Sequence, residues 1–217
     1  MPDFKAALFD LDGTVIDSMG VWEKIDIDFL AKRGQKVPKN YAAELAGLSF
    51  QRAAEYSIEL FNFTESPAEI IDEWNGMAIY EYGHNIKLKP YAKEFLAYLK
   101  GNGIKLAVTT ALSQNLYEPV LKNNGIYDMF DVFTSTDDIK REKNCPDLYL
   151  YACRKLGVSP QNCIGFDDVC SAIKGMKIAG IKAYGVYDKY SEHEKDAIIK
   201  IADGYILNFG ECLRGKF

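Results

Sequence analysis

Apolar residues recur along this chain in two rhythms. Lys5-Ala6-Ala7-Leu8 is short and apolar and predicts a buried strand that leads through Phe9 to Asp10. The rhythm then turns helical. Val21, Ile25, Ile27, Phe29 and Leu30 recur at roughly helical spacing until Arg33-Gly34 supplies a stop. Pro38 fits the first turn of a second helix, and Ser49 fits the cap of a third through Ala53, Ala54, Ser57, Ile58 and Phe61. Ser66-Pro67-Ala68-Glu69 is a strong helix start, with a capping serine, an early proline and a glutamate three residues on. That fourth helix is predicted through Ile70, Trp74, Met77 and Tyr80 to Tyr82, ending near Gly83. No strand is predicted between Asp17 and Gly83.

Beyond Ile86 strand and helix patterns alternate. Helices are predicted near 91–101, 114–124, 146–156, 172–179 and 192–202, and strands near 104–109, 131–134, 163–166, 182–186 and 204–207. Strict alternation implies right-handed crossovers and a parallel sheet covered on both faces. The expected fold is α/β: a Rossmann-like parallel sheet core, residues 1–16 with 86–217, carrying an all-helical cap, residues 17–85, inserted after the first strand. Ligands of such sheets bind beyond the carboxyl ends of the strands. Two crossings would let the helical insert hinge as a lid.

Composition narrows the class. Of 217 residues, 48% are hydrophobic, enough for a sizeable core. A net charge of -5 without a long basic run gives no footprint for nucleic acid. No apolar stretch is long enough to span a membrane, and Met1-Pro2-Asp3-Phe4-Lys5 does not resemble a signal peptide. The expectation is a cytoplasmic protein, monomeric or weakly homodimeric, with no nucleic-acid or membrane partner. The five cysteines are odd in number and none forms a C-x-x-C pair, so neither a zinc site nor a disulfide framework is expected. Cys153, Cys163, Cys170 and Cys212 read as buried thiols, whereas Cys145 lies in a polar stretch.

Chemistry gathers where the strands end. Asp10 and Asp12 stand two apart, and Gly13 lets the backbone turn so that both carboxylates can converge on one ligand. An Asp-Gly hairpin turn is the other reading of that dipeptide alone. Thr109-Thr110-Ala111 offers a hydroxyl and backbone N–H groups to phosphate oxygens, although threonine is also at home in strands and caps. Lys143 precedes a helix opened by Pro146 and Asp147 and can reach a phosphate oxygen, with Lys140 and Arg141 competing for that role. Asp167-Asp168 suits a hard cation, or one member caps the next helix while the other binds metal.

Taken together, Asp10-Leu11-Asp12-Gly13-Thr14, then Thr110, then Lys143 with Pro146-Asp147, then Asp167-Asp168 resemble the four motifs of the haloacid dehalogenase-like phosphotransferase superfamily. The resemblance spans nearly the whole chain. Residues 164–168 followed by Lys177-Ile178-Ala179-Gly180, together with Gly47-Leu48-Ser49 and Lys87-Leu88-Lys89-Pro90, are similar to the β-phosphoglucomutase and phosphoglycolate phosphatase branch. The resemblance implies Asp10 as a nucleophile that forms an aspartyl-phosphate. It implies Asp12 as general acid and base with a raised pKa, and Lys143 as charge stabiliser. Thr110 with the backbone N–H groups of Leu11 and Ala111 would hold phosphoryl oxygens. Mg²⁺ would lie on Asp10, the Asp12 carbonyl, Asp168 and, directly or through water, Asp167. Glu142 and Asn144 stand where the third motif often has glycine and proline.

Asp12 favours phosphate chemistry, because the dehalogenases of the superfamily lack this aspartate and P-type ATPases have threonine there. Phosphomutases of this branch carry a histidine shortly after the first motif and an arginine after the Gly-x-Ser of the cap, where this chain has Trp22 and Phe50. Hydrolysis of a small sugar, nucleotide or acid phosphate monoester is therefore expected, with a phosphomutase as alternative and Arg52 as a partial substitute for the missing arginine. A catalytically silent binding protein is the remaining class, against which the four complete motifs argue. Substrate choice is expected from Met19, Trp22, Glu23, Phe50, Arg52 and Tyr80, of which Trp22, Phe50 and Arg52 lead.

Overall fold

β1 (Ala6–Phe9) is buried along its whole length and has a parallel neighbour on each side, which is why it is apolar without alternation. The computed structural model describes residues 3–45, 48 and 50–216. Within them the chain divides into two units, Met1–Met19 with Ile86–Phe217, and Gly20–Asn85.

The larger unit is built on a sheet of β1, β2 (Lys105–Thr110), β3 (Val132–Ser135), β4 (Cys163–Asp167), β5 (Lys182–Val186) and β6 (Gly204–Ile206). The order is β3-β2-β1-β4-β5-β6 and every pairing is parallel. After β3 the chain crosses from one side of β1 to the other, so β1 and β4 flank the topological switch point. α5 (Ala92–Gly101) packs on β2, α8 (Asp147–Leu156) on β2 and β3, and α9 (Cys170–Ile178) on β4 and β5. Phe9 stacks on Phe166 at 5.0 Å and meets Phe95, Phe130 and Phe209 at 6.0–6.2 Å, forming a dry aromatic floor behind the ends of β1 and β4.

The smaller unit contains α1 (Val21–Lys32), α2 (Tyr41–Leu45), α3 (Phe50–Phe61) and α4 (Pro67–His84). Both α1 and α3 pack on α4. Val21, Ile25, Phe29 and Leu30 are buried, but Ile27 is exposed, because it lies about 200° around the helix from Ile25. Pro38 falls before α2 and only accepts a hydrogen bond from Tyr41 N, so it ends a loop and does not start a helix. Ser49 and Gly47 lie outside the described residues. The Arg33 guanidinium lies 3.9 Å over the Phe29 ring and pairs with Glu65 and Glu73.

Element ends elsewhere differ from the pattern by a residue or two. The 192–202 segment opens as a turn of 3₁₀ helix, Glu192–Glu194, before α10 (Lys195–Ile201). α6 (Gln114–Asn123) stops one residue early. α7 (Thr136–Ile139) and α11 (Phe209–Leu213) are too short to carry a readable period.

The start of α4 follows its sequence signature, with Ser66 Oγ accepting from Glu69 N while Glu69 Oε2 accepts from Ser66 N at 2.8 Å. Ser66→Ala is expected to cost about 1 kcal/mol of stability by removing one side of this box. Denaturant midpoints of the two proteins check it, and an unchanged midpoint would show that α4 needs no cap.

Candidate active site

The register of the sheet sets the site. Phe9 pairs with Phe166, and Asp10 N donates to Phe166 O at 3.0 Å, so Asp10 and Asp167 leave adjacent strands side by side. Asp168 follows directly. Carboxylate oxygens of Asp10, Asp167 and Asp168 all lie within 4.8 Å of one another, and all three residues are buried.

One cation answers them. Lys143 Nζ lies 2.7 Å from Asp10 Oδ1 and is also ion-paired with Asp167 Oδ2. Burial acts against the ammonium, yet Asp10 and Asp167 outweigh it and hold the Lys143 pKa well above that of a free lysine. Lys140, by contrast, takes a left-handed conformation at the end of α7. Lys143 is set in place by its backbone. Tyr149 Oη donates to Lys143 O at 3.1 Å, and a Cβ added at Gly175 would stand 2.1 Å from that same carbonyl. Glycine in α9 thus permits the closest approach of the Lys143 loop.

The other oxygens are individually held. Thr14 Oγ1 donates to Asp168 Oδ1 and Ser191 Oγ to Asp168 Oδ2, each at 3.0 Å. Val169 N donates to Asp167 Oδ1 at 2.9 Å. Gly13 has a φ of +74°, and a Cβ there would meet Asp168 Oδ2 at 2.6 Å. The glycine is therefore required twice, for the turn and for the approach of Asp168. Burial, against Lys143 but with Asp10 and Asp168 as like charges, pushes Asp167 up to about 8. Burial and then Asp10 push Asp168 up to about 7, against the hydrogen bonds from Ser191 and Thr14.

Asp12 stands apart from this trio. Its Oδ1 accepts from the buried Ser18 hydroxyl at 2.5 Å. Thr110 closes β2 and is buried, and its Oγ1 accepts from Leu112 N at 3.1 Å, which leaves the hydroxyl proton to be donated. Leu11 O accepts from Thr14, Val15 and Ile16 N–H groups, while the N–H groups of Leu11 and Ala111 are engaged by no other described residue. The buried carboxylates of Asp10, Asp167 and Asp168 and the Lys143 ammonium thus meet where β1 and β4 end, and Asp12, held by Ser18, follows two residues after Asp10. The residues from Phe4 to Gly180 match the family model for haloacid dehalogenase-like hydrolases.

The chain belongs to that family of hydrolases. Hexitol phosphatase B of Escherichia coli K12 is 27% identical over 181 residues, covering 82% of this chain and 81% of the relative. The phosphorylated carbohydrates phosphatase of Thermotoga maritima is 23% identical over 209 residues, covering 94% and 97%. The β-phosphoglucomutase structure from Clostridium difficile superposes with a TM-score of 0.67 at 25% identity, over 97% of this chain and 96% of that one. Trp22, Phe50 and Arg52, expected from the sequence to choose the substrate, all lie in the helical unit. Trp22 and Phe50 meet edge to face at 5.3 Å, and Arg52 pairs with Glu55 at 2.5 Å.

Sequence reasoning missed Ser191, Tyr149 and Gly175. Tyr149 and Gly175 lie within helices and have no local motif. Ser191 had one available signal, its position just beyond the carboxyl end of β5.

Among the described residues no helix is long and apolar enough to cross a membrane. The oxygen-only donor set fits a hard divalent cation. With all three carboxylates ionised, they and the ammonium sum to -2, the charge such an ion offsets.

Two outcomes follow from this packing. Gly175→Ala is expected to lower stability by about 1–3 kcal/mol despite the better helix former, because the new methyl meets backbone. Gly101→Ala, where nothing stands within 4 Å of the added carbon, is the control and is expected to be neutral or stabilising. Equal melting temperatures for the two variants would refute the close approach.

The second outcome concerns pH without metal. Asp167 and Asp168 have folded-state pKa values raised to about 8 and about 7, above the unfolded range. From about pH 4 up to about 7 for Asp168 and about 8 for Asp167, the unfolded chain has released the proton and the folded one holds it. Their contribution to stability is complete below that window and lost as pH rises through it. In EDTA the Tm of wild type is expected to fall more between pH 5 and 8 than that of Asp167→Asn. Parallel Tm profiles would contradict this.

Proposed function

We propose that this hydrolase is a Mg²⁺-dependent phosphatase that cleaves a small phosphate monoester through an aspartyl-phosphate on Asp10. The observation that carries the reading is the Asp10 carboxylate, held 2.7 Å from Lys143 Nζ and within 4.8 Å of the Asp167 and Asp168 carboxylate oxygens. Asp10 Oδ would attack phosphorus in line, forming the Asp10 O–P bond as the bond to the ester oxygen breaks. Asp12 would give its proton to that leaving oxygen, and its bond to Ser18 fixes the carboxyl in one orientation. In the second step water attacks the phosphorus, Asp12 takes the water's proton, and the Asp10–phosphate bond breaks to release inorganic phosphate.

Lys143 would turn from the free carboxylates to the phosphoryl oxygens, and Thr110 Oγ with the N–H groups of Leu11 and Ala111 would bind the remaining oxygens. Asp10 and Asp168, the Asp12 carbonyl, and Asp167 directly or through water would hold Mg²⁺. When bound, this ion would offset the repulsion between a dianionic phosphate and the carboxylate that attacks it.

The named relatives act on hexitol phosphates and phosphorylated carbohydrates, which favours a sugar or polyol phosphate within the broader class of sugar, nucleotide and small-acid phosphates. Trp22, Phe50 and Arg52 are assigned substrate recognition in this reading. Trp22 and Phe50, standing at the positions where the mutases carry histidine and arginine, favour hydrolysis over phosphate return.

Phosphate release from a panel of sugar, polyol, nucleotide and small-acid phosphates, with Mg²⁺ and with EDTA, tests the reading. Wild type is expected to show metal-dependent release, strongest on a phosphorylated sugar or polyol. Asp10→Asn is expected to fall by about a thousandfold or more in kcat/KM with its Mg²⁺ affinity reduced but measurable. A folded wild type that releases no phosphate from any ester would refute it.

A further inference from the structure

The loop between β5 and α10, residues 187–194, is fastened to the rest of its unit at several points. Lys89 Nζ donates to Tyr187 O at 3.2 Å and to Asp188 Oδ2 at 2.5 Å. Asp188 is buried, and its other oxygen accepts from Tyr190 N at 2.8 Å. At the far end, Glu194 Oε2 accepts from Cys170 N, at the start of α9, at 2.7 Å. Between these anchors the Ser191 hydroxyl donates to Asp168 Oδ2 at 3.0 Å.

We infer that Ser191 is a positioning residue for the metal carboxylate Asp168, carried on a loop that the Lys89–Asp188 and Glu194–Cys170 contacts hold as a brace. The inference rests on the metal reading given above. Asp168 faces donors on both oxygens, Thr14 at Oδ1 and Ser191 at Oδ2. Two donors from separate segments fix both the rotation and the tilt of the carboxylate. Each oxygen retains a second lone pair for a cation. Both donors also favour the ionised form that a cation needs. Thr14 belongs to the turn after β1, whereas Ser191 lies 23 residues beyond Asp168. The cation site would thus be built from three strand ends, those of β1, β4 and β5.

Loss of a hydrogen-bond partner behind a metal ligand typically weakens metal binding by about 10–100-fold. Calorimetric titration of the full chain with Mg²⁺ tests the inference, comparing wild type, Ser191→Ala and Ser191→Thr. Ser191→Ala is expected to weaken binding by about tenfold or more, with kcat recovering at saturating Mg²⁺, and Ser191→Thr to stay within about threefold of wild type. Ser191→Cys keeps the side chain's shape, with a somewhat larger terminal atom, while weakening the donor, and it reads the same loss should the alanine variant fail to fold. Equal affinity in wild type and the alanine variant overturns the inference, as does a threonine variant as weak as alanine. Wild type that binds no Mg²⁺ overturns the metal reading, and this inference with it.

Discussion

Two adjacent parallel strands in this protein end in carboxylates at the same level, and the rest of the site answers that repulsion. The register that pairs Phe9 with Phe166 leaves Asp10 no choice but to stand beside Asp167, with Asp168 next in the chain. At such separations each like-charge pair costs about 3 kcal/mol or more for an effective dielectric near 20. The phenylalanines behind the strand ends keep water from relieving it. Lys143 removes part of the cost, Thr14, Ser191 and Val169 N–H another part, and the raised pKa values of Asp167 and Asp168 express what remains. A site in this condition is poised for a divalent cation. In the proposed reaction it would also repel a dianionic phosphate until that cation is present, so metal and substrate would be coupled through the same carboxylates.

Charge alone does not bring the groups together; missing side chains do. Asp168 can lie against the turn after β1 because Gly13 has no Cβ, and the Lys143 carbonyl can lie against α9 because Gly175 has none. The first glycine belongs to a motif. The second is in the middle of a helix, where its propensity cost looks unexplained until the lysine loop is seen to press on it. Tyr149 then fastens the same carbonyl from α8. The ammonium is thus positioned through backbone, and its long side chain supplies only the reach.

The readable part of this fold was the part that is local. β1 was legible because a strand buried on both faces is apolar without alternation, and Asp10, Asp12, Asp167 and Asp168 were legible because they sit next to such strands. The alternation beyond Ile86 gave the parallel sheet. Lys143 was not separable from Lys140 and Arg141 by position, since nothing local says which loop cation turns inward. The burial of Lys143 between two aspartates is a tertiary fact. Ser191 and Gly175 act across long stretches of chain, Tyr149 reaches back six residues from within a helix, and none carries a spacing signal. Ile27 entered the apolar stripe of α1 by composition, although the helical period points it to solvent. α7 and α11 are a turn or so long, below the length at which a period exists.

The chain leaves its sheet unit between Asp10 and β2 to form a second unit, and the backbone is fastened within the sheet unit at both crossings. Where the backbone departs and returns, Ile16 and Leu88 pair as an antiparallel bridge, Asp17 N donates to Lys87 O and Lys89 N to Val15 O, each at 2.9 Å. The returning Lys89 is tied to the buried Asp188. Each carboxylate of the trio, its lysine and its hydroxyl donors belong to the sheet unit, and their positions follow from strand register and glycine contacts within it. The geometry of the carboxylate centre is therefore defined within one unit. Under the proposed function, recognition and chemistry would then have separate structural origins. In that reading the aromatic pair Trp22 and Phe50 would stand in place of a mutase's polar residues while the Asp10 centre keeps its geometry.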